Sequence, residues 1–100
     1  MEERKQFKSE EHTIFIGDKP FMNYVTGVVM QFTTQAANEI VIKARGKFIS
    51  RAVDVAEVTA KRFLENTVTI GNIKIDSEEF ENKEGRQVRV STIEITVAKK

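Results

Sequence analysis

Four cations crowd into nine positions of VIKARGKFISRAV, residues 41–53: Lys43, Arg45, Lys47 and Arg51. No acidic residue lies between Val41 and Val53. Like charges this close repel, so an ordered backbone must hold them. Cations fixed in this way suit an anionic ligand, and phosphate is the natural one. Lys19, in the segment GDKP, is a further candidate beside a turn. A lone surface Lys is ordinarily only a solvated charge. A cluster without acidic neighbours in sequence points to phosphate instead.

Other chemistry is thin. There is no Cys and only one His, His12. No thiolate metal site can form, and no metal site or catalytic dyad is expected at His12. Asp54 and Glu57 stand one helical turn apart. Such a pair can hold a metal or move protons, but a solvated helix face explains it as well. Tyr24 suits either stacking on a base or bonding to phosphate, or else a half-buried place in a helix. Gly17 and Gly46 do not form a P-loop fingerprint. No activated nucleophile is evident, so no catalytic residue and no cofactor is expected. A small phosphate-handling enzyme is the weakest of the functional readings.

Composition sets the frame for these residues. One hundred residues suit a single domain with a modest core, which an oligomer interface would supplement. Forty per cent hydrophobic residues and one Pro indicate a folded globular chain. Formal net charge is only +1, so a nucleic-acid reading must rest on where the charges sit. No apolar run is long enough for a membrane span or a signal peptide, and a cytoplasmic location is expected. Residues 1–12, MEERKQFKSEEH, read as a flexible arm, and residues 13–100 as the domain.

The elements that must position the cations follow from periodicity. A strand is expected at about Thr13–Ile16, ended by Gly17. Pro20 opens a helix that carries Phe21, Met22, Val25, Val28, Val29 and Phe32 at helical spacing. A second strand, in ANEIVIKARG, puts Ile40, Ile42 and Ala44 on one face and Val41, Lys43 and Arg45 on the other. A second helix is expected over about Phe48–Leu64, with Ile49, Ala52, Val53, Ala56, Ala60, Phe63 and Leu64 as its main stripe. Phe48, Val55 and Val58 widen that arc beyond what one sheet covers, which points to a second copy of the chain. TVTIGNIKID and RQVRVSTIEITVA alternate as strands around a tip, SEEFENKEG. Each strand changes phase partway, at Gly71-Asn72 and at Ser91-Thr92. We expect a bulge or twist, a switch of the apolar side, and a hairpin that projects as an arm.

The expected fold is therefore α/β (α+β), a two-layer sandwich of order β-α-β-α-β-β. Its sheet is mixed and four-stranded, with both helices on one face. The first two strands, joined through a helix, should run parallel. Their carboxyl ends then share an edge, where Lys19, Arg45 and Lys47 converge near helix N-termini.

Four segments, IGDKPFMNYV, EIVIKARGKFISRAVDVAE, RFL and EGRQVRVSTIEI, resemble the Alba family of small archaeal chromatin and RNA-binding proteins. The resemblance runs from Ile14 to Lys99 and is most specific in the Lys-Ala-Arg-Gly block. It implies a homodimer that binds double-stranded DNA and RNA with little sequence preference and compacts the chromosome. It also leaves open a subunit of an RNA-processing ribonucleoprotein. By position, it implies nucleic-acid contacts at Lys19, Tyr24, Lys43, Arg45 and Lys47. It further implies hairpin contacts at Arg86 and Arg89, and a dimer–dimer contact at Phe63. The family's regulated Lys corresponds to Asp18 here, so acetylation control there is not expected. Asp18 is expected to cap the first helix and to repel phosphate. The hairpin tip, with Glu78, Glu79, Glu81 and Glu84, is also acidic for a groove-binding arm.

Overall fold

The computed structural model describes residues 12–100. Strand β1 spans Thr13–Phe15, helix α1 Phe21–Thr33, β2 Glu39–Arg45, α2 Ile49–Val58, β3 Val68–Glu81 and β4 Gln87–Lys99. A 3-10 turn over Gly46–Phe48 precedes α2, and a π-helical turn over Thr59–Phe63 follows it. The sheet order is β1-β2-β4-β3, with β1 and β2 parallel and the other neighbours antiparallel. This is the expected two-layer arrangement. Of the expected arm, residues 1–12, residues 1–11 lie outside the described residues. His12 is tied to the domain: its carbonyl accepts from Val41 N–H at 2.9 Å, and its ring Nδ1 lies 3.3 Å from Gln31 Oε1.

The core forms between the helices and one sheet face. Ile40 and Ile42 of β2 and Val97 of β4 are fully buried against Val28 of α1 and Ala52 and Val55 of α2. The expected stripe of α2 is rotated in fact. Val55 is core, whereas Val53 is 40% exposed and Phe63 is 52% exposed. Position along a wide apolar arc does not say which part meets the sheet; packing does. The π turn adds a residue to the last turn, marked by Leu64 N–H bonding to Thr59 O at 2.9 Å. That extra residue turns Leu64 into the core and Phe63 to solvent.

The bulge falls where expected, between Ile70 and Ile73, but its effect on β3 is the opposite of a face switch. Side chains alternate along a strand, so an inserted residue restores the phase that Gly71-Asn72 breaks. Ile70 pairs with Val97, Ile73 with Ile95 and Ile75 with Ile93, all on the helix side. The side changes only in β4, which keeps its register through Ser91 and Thr92. Val88 and Val90 consequently face the open side of the sheet.

The hairpin tip is shorter than SEEFENKEG. Strand pairing continues to Glu81 opposite Gln87. A charged sequence reads as loop, yet cross-strand pairing holds it, including the ion pair of Arg89 with Glu79 at 2.6 Å. Asn82 closes the turn: its Oδ1 accepts from Glu84 N–H and Arg86 N–H, each at 2.9 Å. Gly85 supplies the positive φ of 81° that the turn requires.

Candidate nucleic-acid interface

The site is built at the carboxyl ends of β1 and β2. Alternation along β2 sends Ala44 into the core and Lys43 and Arg45 to the open face. Gly46 then turns the chain with φ 61°. A Cβ at Gly46 would stand 3.2 Å from Val90 Cγ2, and its backbone conformation is one side chains rarely adopt. This turn presents Lys47, whose Nζ lies 5.4 Å from the Phe48 ring centroid.

Lys43, Arg45 and Lys47 line one groove of about 650 Å³ together with Phe15, Val90 and Thr92. Lys19 belongs to the same edge, because β1 and β2 are parallel, but it does not line that groove. Its loop is clasped from behind. Gly17 N–H and Lys19 N–H both donate to Tyr24 Oη, at 2.9 and 3.1 Å. Arg51 donates to Gly17 O at 2.7 Å and lies 5.7 Å from the Tyr24 ring centroid. Tyr24 is buried, with its hydroxyl engaged by the loop backbone. Arg51 was visible in the sequence as a fourth cation; nothing in the sequence paired it with Gly17.

The cations are not free of acidic neighbours. Lys43 Nζ lies 3.5 Å from Glu94 Oε2, and Arg45 Nη1 lies 2.8 Å from Glu78 Oε1. The absence of acids between Val41 and Val53 is a local fact that sheet register reverses: Lys43 pairs with Glu94 of β4. Arg89 and Glu79 stand one position out of phase with Glu78, so their ion pair lies on the other face of the hairpin from Arg45. Among the described residues, no ion pair engages Lys19, Lys47 or Arg86.

Asp18 does not cap α1. Pro20 is the residue before the helix, with φ −54° and ψ 141°, and no side chain caps it. Asp18 lies two positions earlier and is exposed. Phe63 is exposed at the end of the second helical segment. No group of three or more His, Cys, Asp or Glu side chains among the described residues could hold a metal. No helix among them is long and apolar enough to cross a membrane.

Fold and edge together define a small two-layer α+β domain with a cationic loop edge and a long terminal hairpin. The Alba family model matches residues 12–77. The "DNA/RNA-binding protein Alba" of Nanoarchaeum equitans is 61% identical over 88 residues, covering 87% of this chain and 97% of the relative. The "DNA/RNA-binding protein Alba 1" of Archaeoglobus fulgidus is 51% identical over 90 residues, covering 90% and 98%. The solved structure of Alba from Thermoplasma volcanium matches with a TM-score of 0.78 at 49% identity, covering 86% of this chain and 98% of that one. The chain belongs to the Alba family.

Proposed function

We propose that this protein binds double-stranded DNA and RNA with little sequence preference, as a homodimer, and packages the chromosome. The observation that carries this reading is the grouping of Lys43, Arg45 and Lys47 in one groove, with Lys19 on the same edge. The names of the relatives, DNA/RNA-binding proteins, support it. Lys19, Lys43, Arg45 and Lys47 neutralise phosphates. Tyr24 acts behind them, holding the Lys19 loop in place through its hydroxyl. Arg86 extends the contact at the hairpin turn, Arg89 meets nucleic acid from the other face of the hairpin, and Phe63 joins neighbouring dimers. Such a protein works with the chromosome, in the cytoplasm.

The exposed apolar side chains of β3 support the dimer. Ile73 and Ile75 face the helix side of the sheet, yet they are 59% and 76% exposed. A second copy would cover them.

Salt dependence tests the phosphate reading. If roughly 4–6 cations of a dimer neutralise phosphates, log K falls against log salt with a slope of about −4 to −5. Arg45→Ala should weaken binding to unrelated sequences equally and flatten the slope. A sequence-selective loss, or no loss, refutes phosphate anchoring.

A further inference from the structure

Phe15 stands on the open face of the sheet, 66% exposed, while the next residue, Ile16, is buried. Single exposed apolar residues are common and carry no message alone. This ring is set apart by its surroundings. It is paired in register with Lys43, whose Nζ lies 5.8 Å from the ring centroid. It lines the same groove as Arg45, Lys47, Val90 and Thr92. Glu94 and Glu78 also line that groove, but each is matched to a cation, Lys43 and Arg45.

We infer that Phe15 is a stacking platform for an unpaired nucleobase, so that the open sheet face takes single-stranded nucleic acid. This rests on the phosphate-binding role of the same edge. An aromatic ring on a sheet face flanked by cations offers a base its π-face and the backbone its counter-charges. A duplex keeps its bases stacked inside and has no base face to offer, so it gains nothing from Phe15. An apolar peptide would gain from the ring but not from three cations around it. Thr92 adds a hydroxyl at the groove, able to donate or accept at a base edge. Stacking does not read sequence, so the preference is for unpaired strands in general.

The test compares two ligands at one salt concentration. One is an unstructured single-stranded RNA carrying a fluorescent purine analogue, and the other is its fully paired duplex. Phe15→Ala should weaken single-strand binding by about 5- to 100-fold and duplex binding by less than about twofold, through Lys43 alone. Wild-type protein should quench the analogue, and Phe15→Ala should not. Phe15→Trp should keep both affinity and quenching, whereas Phe15→Leu, with apolar bulk but no π-face, should lose both. Thermal melting of each variant checks the fold. Equal loss on the two ligands, no loss on either, or wild-type behaviour of Phe15→Leu overturns the inference. If wild-type protein binds neither ligand, the phosphate reading itself fails, which is a separate and visible outcome.

Discussion

Arg45 and Glu78 form a close ion pair at 2.8 Å, with 64% and 55% of their side chains exposed. An exposed pair of this kind contributes about 0–1 kcal/mol. A phosphate offers the same guanidinium a stronger, charge-assisted fork. Binding at Arg45 is therefore an exchange of carboxylate for phosphate. Removing the competing charge should help binding more than removing a charge elsewhere. Glu78→Gln should tighten duplex binding by up to about fivefold at low salt. Glu84→Gln makes the same change in net charge in the hairpin turn, and its effect should be smaller. Equal effects in a titration would mean that only net charge matters. Asp18 poses the related question on the Lys19 side. It is exposed and caps nothing, so Asp18→Lys should change stability by less than about 0.5 kcal/mol. It should also bind DNA more tightly at low salt and steepen the slope by about 0.9 per site engaged. Unchanged affinity in the folded variant would move Lys19 away from the nucleic-acid path.

Two irregularities decide what the elements present. The bulge between Ile70 and Ile73 keeps Ile70, Ile73 and Ile75 of β3 on one face. Without it, Ile73 and Ile75 would turn to the open side and share it with Lys43 and Arg45. The π turn after α2 does the corresponding work on Phe63. It leaves the ring 52% exposed while Leu64, at 8%, fills the core. About half of the Phe63 surface is buried, so Phe63→Ala should stay folded and cost about 1–2 kcal/mol, less than truncating a core Phe. If Phe63 joins dimers on DNA, the same variant should bind a long duplex with less cooperativity at unchanged single-site affinity. A variant that unfolds would return Phe63 to the core.

At the scale of the molecule, shape and surface point to association. The radius of gyration is 14.5 Å, above the roughly 13 Å of a compact chain this long. The strands of the hairpin stay paired out to Glu81 and Gln87. On the helix side of the sheet, Ile73 and Ile75 lie bare. Sedimentation at micromolar concentration should give about twice the monomer mass of 11.4 kDa. Ile75→Lys should shift the protein toward the monomer, since a charge buried without a partner is costly. A monomer in the wild type would refute the dimer and leave the apolar strip unexplained.

Much of this was legible in the residues. The order of elements, the parallel first pair, the projecting hairpin and the turn at Gly46 follow from periods of 3.6 and 2 and from glycine and proline placement. So does the exposure of Lys43 and Arg45 on the face opposite Ile42, because alternation is a local property of a strand. Sequence by itself also determined the spacing of the cations and their lack of acidic neighbours along the chain. What the tertiary structure alone decided is everything that depends on register. Glu94 meets Lys43 and Glu78 meets Arg45 across strands far apart in sequence. Arg51 and Tyr24 clasp the Gly17–Lys19 loop from two different helices. Val55 rather than Val53 faces the sheet, and one extra residue in the π turn chooses Leu64 over Phe63. Pattern fixes which residues share a face; only the packing of one element on another fixes what that face meets.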